Sequence, residues 1–244
     1  MSRLNPNPWS IKSKIREYLA QRLGVPEIPV ALGRLSHRGF QPDQIFDVGA
    51  HQGDFTQCCL QIWPNAKVSC FEALENRVTQ LQQLASRNSA IQVFPGLLGA
   101  ETLDKVPLHE AETASSVLVE QIPQNFPVTF HPMRTIDQIV QEHFGGNSPD
   151  LLKLDVQGYE LEVLKGAEKS LPKMQAILAE VSLLDIHQNV PLLAEVIAWL
   201  NDRDWVVYDI CGLIHRPLDQ ALWQADFIFV PRNSPLRADK RWTA

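Results

Sequence analysis

Ile45-Phe46-Asp47-Val48-Gly49-Ala50-His51-Gln52-Gly53 is the stretch on which the reading of this chain turns. Its apolar start reads as a buried strand, and its two glycines, four positions apart, turn that strand into whatever follows. A helical period comes next, from about Phe55 to Ile62, and then a second strand at about Val68 to Phe71. Leu74, Val78, Leu81 and Ala85 recur at helical spacing, and Ile91 to Phe94 is a third strand. Further strands are expected at Leu151 to Val156, Ile177 to Val181, Trp205 to Ile210 and Phe227 to Val230. A helix carrying Leu192, Val196, Ile197 and Leu200 lies among them. Strands alternating with helices give an α/β fold, a mainly parallel sheet with helices on both faces. The ligand crevice of such a sheet lies at the carboxyl ends of its strands, near the switch point.

Outward from this core the pattern loosens. Residues 11 to 23 place Ile11, Ile15, Tyr18, Leu19 and Leu23 on one side of a helix, and Pro26 and Pro29 break that pattern. The expected organisation is a helical lead-in over residues 1–40, one domain over 41–236 and a tail over 237–244. Gly99 to Val128 is polar, with Ser115-Ser116 and prolines at 107, 123 and 127. It reads as an insertion over the crevice with a short hairpin. Thr135 and Gln138 have the spacing of a capping box that starts a helix through about His143.

Composition narrows the function classes. The 244 residues suit one large α/β domain, and a hydrophobic share of 45% is enough for a single core. A formal charge of -6 argues against a general nucleic-acid binder, and nucleic acid is not an expected partner. The four cysteines, Cys58, Cys59, Cys70 and Cys211, contain no C-x-x-C pair. Buried free thiols fit a reducing, cytoplasmic setting. Met1 to Ser10 is polar and does not read as a signal peptide, and no apolar run approaches the roughly eighteen residues that span a bilayer.

A dinucleotide fingerprint needs G-x-G-x-x-G, but here His51 and Asp54 stand where the second and third glycines would be. A nicotinamide oxidoreductase is therefore the weaker reading. S-adenosylmethionine has no pyrophosphate to cradle, so a looser glycine turn suffices, with backbone free to approach the ligand. Asp47 or a nearby carbonyl is expected to engage its ammonium. Glu72 closes the second strand, where a carboxylate can accept both hydrogen bonds of a ribose diol. The cofactor-binding set is then Asp47, Gly49, Ala50, His51, Gly53, Glu72, Ala73 and Leu98. His51 either lines the pocket or hydrogen-bonds within the loop.

Leu151-Leu152-Lys153-Leu154-Asp155-Val156-Gln157-Gly158-Tyr159-Glu160 is the other dense segment. Charges on a strand with buried neighbours have a partner or a job. Asp155 is expected at the carboxyl end of the strand beside the crevice. Lys153, Asp155 and Glu160 can also be read as a structural ion network. Glu180 ends the next strand. Together with Asp155 it can share a proton, orient a hydroxyl or bind a divalent cation. His187 follows on a loop as a candidate general base or a solvated histidine. Asp155, Glu180 and His187 form the expected catalytic set. Lys153, Ser115, Ser116 and Glu160 form the expected substrate-binding set, and no set of side chains is assigned to a metal.

The two segments together resemble the FkbM family of S-adenosylmethionine-dependent methyltransferases. Asp47-Val48-Gly49-Ala50-His51-Gln52-Gly53 follows its D-V-G-A-N-x-G, and Phe71-Glu72-Ala73 its F-E-P-like strand end. Lys153 to Glu160, with Val163-Leu164-Lys165-Gly166-Ala167, follows K-x-D-V-E-G-x-E-x-x-V-L-x-G-A. Ser115-Ser116, Glu180 and Gln224 to Val230 match further family features, so the resemblance covers about residues 40 to 236. His51 replaces the usual asparagine and Gln157 the usual acidic residue, which removes one charge that a metal would use. The resemblance implies a Rossmann-like, seven-stranded class I methyltransferase fold. It also implies methylation of a hydroxyl on a small-molecule or glycan acceptor such as a sugar, a glycoside or a secondary metabolite. A cofactor-binding module altered in catalysis is the non-enzymatic alternative.

Overall fold

The computed structural model describes residues 23–111, 114–122 and 124–243. Its elements, in chain order, are α1 (Ile28–His37), β1 (Gln44–Val48), α2 (Asp54–Ile62), β2 (Lys67–Glu72), α3 (Glu75–Ala85), β3 (Ile91–Pro95), β4 (Leu97–Leu98), β5 (Leu103–His109) and β6 (Val128–Arg134). There follow α4 (Ile136–His143), β7 (Leu151–Leu154), α5 (Glu160–Lys165), β8 (Ala176–Ser182), α6 (Leu193–Asn201), β9 (Trp205–His215) and β10 (Leu222–Pro231). Seven of the strands form one sheet in the order β3-β2-β1-β7-β8-β10-β9. Strands β3, β2, β1, β7 and β8 pair in parallel. Strand β10 runs antiparallel to both β8 and β9, so β9 returns to the common direction. The strand order reverses at β1, which puts the switch point between β1 and β7.

Alternation along the strands builds a core on each face. Phe46, Val48, Leu152, Leu154, Ile177 and Ala179 pack into one cluster, with α4, α5 and α6 supplying Ile139, Val163 and Val196. Ile45, Val68, Cys70, Leu151 and Leu178 pack into the other, together with Ala31, Leu32 and Leu35 of α1. Burying a side chain of this size stabilises by about 1.5–3 kcal/mol. The same alternation carries Asp47 and Lys153 onto the face of Ile45 and Leu151, and the ladder sets them directly opposite one another.

Several sequence expectations shift. Strand β7 stops at Leu154 rather than Val156, because Gln157 takes a positive φ of 53° and turns the chain away. Strands β9 and β10 run further than their apolar runs suggest. As an antiparallel pair at the sheet edge they keep one side partly open, with Val207, Ile210 and Leu213 exposed. Beyond Pro26 a further helix, α1, begins, with Pro29 in its first turn, where its missing N–H costs nothing. The lead-in periodicity over residues 11–22 lies outside the described residues. In place of a short hairpin within residues 99–128, β5 pairs antiparallel with β6 across residues 110–127, and β4 adds a third strand in the order β4-β6-β5. Thr135 caps α4 by accepting from the Gln138 N–H, but the Gln138 side chain turns to Thr102 instead of completing the box.

Candidate active site

The glycine turn is hooked onto the end of β2. The N–H groups of Gly49 and Ala50 both donate to the Phe71 carbonyl, at 3.0 and 3.1 Å. Gly49 has φ 74°, and a Cβ there would overlap the Asp155 main-chain carbonyl, so the residue is glycine for two reasons at once. The turn also gathers donors around Glu72. One carboxylate oxygen accepts from the His51 N–H at 2.8 Å, the other from Ala73 N–H at 2.9 Å and Leu74 N–H at 3.0 Å. Burial pushes the Glu72 pKa up, and these three backbone bonds oppose it. A carboxylate offers about four lone-pair sites, so acceptor capacity remains for a ligand.

Behind the turn, Asp47 and Lys153 are buried together. The Lys153 ammonium stands 3.2 Å from Asp47 and 3.5 Å from Asp155, and it donates to the Gly49 carbonyl at 2.8 Å. Burial works against its charge, but Asp47 and Asp155 more than offset that and hold the Lys153 pKa above the ordinary lysine value. Asp47 accepts from the Thr56 hydroxyl at 2.7 Å and has no surface exposure. It does not line the cavity. The contact expected between Asp47 and a ligand ammonium is thus replaced by one with Lys153.

The chain after β7 wraps around Glu160. The Glu160 carboxylate accepts from the Val156 and Gly158 N–H groups at 3.0 and 3.1 Å, tying the loop to the start of α5. Burial pushes its pKa up to about 7 against the pull of those bonds. Gly158, at φ 98°, lies so close to Val190 that a Cβ would overlap it. Gln157 points back across the loop and donates from one nitrogen to Asp155 at 2.9 Å and to Glu180 at 2.7 Å. Ser116 donates from its hydroxyl to the Gln157 carbonyl at 2.8 Å, which anchors the insertion to this loop.

A cavity of about 310 Å³ opens between these segments, at the carboxyl ends of β1, β2 and β7. Gly49, Ala50, His51, Glu72, Ala73 and Leu98 of the expected cofactor set line it, as do Lys153, Asp155 and Ser115. Six of the expected site residues lie elsewhere. Gly53 caps α2 behind the turn. Besides Asp47, Glu160 is a buried loop tie and Glu180 is covered by Gln157, so neither reaches the cavity wall. Ser116 and His187 line a second cavity of about 60 Å³. His187 is carried away from Asp155 because its backbone bridges Glu120 of the insertion. Burial and the neighbouring His109 lower its pKa.

Sequence reasoning missed other parts of the wall. Gln157 and Tyr159 line the cavity, and both lie inside the motif that drew attention to Asp155. Phe55 follows the glycine turn, 5.8 Å from the Lys153 ammonium, and Ile28 comes from α1. No sequence signal marked Ile28, since Pro26 and Pro29 hid the helix. Among the described residues, no group of three or more His, Cys, Asp or Glu side chains is arranged to hold a metal ion. Between Asp155 and Glu180, where a bridging cation would sit, the Gln157 amide is already placed.

A seven-stranded sheet with one reversed strand next to its edge, and a cavity at the switch point, is the class I methyltransferase fold. The methyltransferase FkbM domain model matches residues 47–206, and the chain belongs to that family. No curated protein matches it. The solved methyltransferase FkbM from Methylobacillus flagellatus KT is 20% identical with a TM-score of 0.51, over 76% of this chain and 43% of that one. This chain thus spans less than half the length of that relative, and the likeness is one of fold. Magnesium protoporphyrin IX methyltransferase from Synechocystis PCC 6803, solved with bound SAM, is 12% identical with a TM-score of 0.48, over 90% of this chain and 82% of that one. Fibrillarin from Aeropyrum pernix, also with bound S-adenosyl-L-methionine, is 14% identical with a TM-score of 0.46, over 88% and 74%. Among the described residues no helix is long and apolar enough to cross a membrane.

Proposed function

We propose that this protein transfers a methyl group from S-adenosylmethionine to a hydroxyl of a small-molecule or glycan acceptor. The observation that carries the reading is that Glu72 and Asp155 line one cavity from the two sides of the Gly49 turn. A volume of about 310 Å³ suits a nucleoside-sized ligand. The carboxylate of Glu72, held by three backbone donors, would take a ribose hydroxyl on its remaining acceptor site. Ala50, His51 and Leu98 would flank the bound cofactor. When bound, S-adenosylmethionine supplies an electrophilic methyl group on a good leaving group, so the protein's work is positioning.

An alcohol is a weak nucleophile at neutral pH and needs help as its proton leaves. Asp155, on the cavity wall, would give it. Its side chain is 40% exposed and stands 3.5 Å from the buried Lys153 ammonium. The acceptor hydroxyl would donate to Asp155 and pass its proton there as the new carbon–oxygen bond forms. Glu180 would act only through Gln157. Ser115 and Val117 of the insertion would close over the acceptor. Incubation with methyl-labelled S-adenosylmethionine and a panel of sugar, glycoside and phenolic acceptors tests this. Transfer to a hydroxyl is expected; a product methylated only at nitrogen or carbon would overturn the hydroxyl assignment.

A further inference from the structure

Gln157 has a place in this site that its neighbours do not explain. It is a non-glycine residue at φ 53°, it is 8% exposed, and it lines the cavity. A side-chain amide nitrogen carries two hydrogens. Both are committed, one to Asp155 at 2.9 Å and one to Glu180 at 2.7 Å. Its own carbonyl is held by Ser116, so the backbone cannot easily swing the amide away. Lys153 faces the other oxygen of Asp155 at 3.5 Å. One oxygen of the Asp155 carboxylate thus accepts from Gln157 and the other faces the Lys153 ammonium across an ion pair, so the group is held on both sides.

We infer that Gln157 is a positioning residue whose amide fixes the Asp155 carboxylate toward the cavity and fills the place of a cation between Asp155 and Glu180. The inference rests on Asp155 as the group that receives the acceptor's proton. The charged groups around the pair are Asp47 on β1, Lys153 on β7, Glu160 on α5 and Asp226 on β10, which lies opposite Glu180 in the ladder. Burial, with Asp155, Glu160 and Asp226 nearby, pushes the Glu180 carboxyl well above the ordinary range. Asp155 is the member of the pair that faces the cavity. A glutamate at this position would bring three carboxylates together, a ligand set suited to a hard divalent cation. Glutamine instead gives a neutral clamp.

The test is a carboxylate titration by carbon-13 NMR of the full chain, with the Asp155 signal assigned by its absence in Asp155→Asn. Gln157→Met keeps the length and removes both donors; the Asp155 midpoint is expected to rise by about one pH unit. Gln157→Glu should raise it in the same direction and serves if the methionine variant does not fold. Calorimetry with Mn²⁺ should show saturable binding in Gln157→Glu that the native chain lacks. An unmoved Asp155 midpoint, or the same Mn²⁺ response in both chains, would overturn the inference. S-adenosylmethionine titrations of the same samples separate the two levels, since failure to bind it would undo the cofactor reading and leave the Asp155 midpoint readable.

Discussion

A Cβ on Gly49 would overlap the main-chain carbonyl of Asp155. The two segments that carry the family motif are therefore in backbone contact, though more than a hundred residues apart in sequence. Strand pairing sets this up: the Asp155 N–H donates to the Val48 carbonyl at 3.1 Å, one bond beyond the ladder of β1 and β7. The turn that would hold the cofactor and the carboxylate that would receive a proton are thus fixed to one another.

Gly49→Ala should therefore damage more than a turn. It forces a methyl group against a carbonyl at a backbone angle that disfavours it. A loss of about 2–4 kcal/mol in urea unfolding is expected. S-adenosylmethionine affinity should fall with it. Native-like stability and affinity together would count against the contact.

Asp155→Asn keeps the shape of the side chain and removes its basicity. Turnover should drop by about 10²–10⁴-fold, the usual range for a lost general base. Cofactor affinity should stay within about twofold, because Glu72 and the glycine turn are untouched. Unchanged kcat with any acceptor the native chain methylates would exclude Asp155 from the proton's path.

The ion pair of Asp47 and Lys153 is expected to be structural in energy. Lys153→Met leaves the fully buried Asp47 without its cation, a change that typically costs about 3–5 kcal/mol. The double variant Asp47→Leu with Lys153→Met should regain part of that loss. Additive losses in thermal or urea unfolding would contradict a coupled pair.

Glu160 should make stability depend on pH. Burial raises its pKa to about 7 in the fold from 4.5, so the folded chain keeps a proton that the unfolded chain releases. That contribution is whole below about pH 4.5 and is lost as pH rises through 7. It is worth about 3 kcal/mol across the interval. Asp226, pushed up to about 6 by burial and by Asp155, acts in the same direction over a lower range. Glu160→Gln retains an acceptor for the loop N–H groups and should flatten the decline. An identical pH profile of unfolding in the variant would refute the assignment.

Much of this was legible in the sequence where a single rule dominates. Ile45 to Val48 and Ile177 to Val181 are buried on both faces, so their apolar runs mark the parallel strands directly. Glu72 and Asp155 stood out because a charge at the end of such a run needs a reason. Strands β9 and β10 run past their apolar runs because an antiparallel pair at the sheet edge needs no continuous buried run, and its open side leaves Val207, Ile210 and Leu213 exposed. The site was less legible where partners come from elsewhere in the chain. Glu180 reads as a partner of Asp155, but only the fold shows Gln157 between them. His187 follows β8 closely, yet its loop is drawn to Glu120 of the insertion, a pairing that no local pattern encodes.

The most direct test of the central claim is calorimetric titration of the full chain with S-adenosylmethionine. Saturable single-site binding is expected, weakened by about tenfold or more in Glu72→Ala and nearly unchanged in Asp155→Asn. No saturable binding to the native chain, or equal affinity in Glu72→Ala, would contradict a cofactor held by Glu72 beside the Gly49 turn.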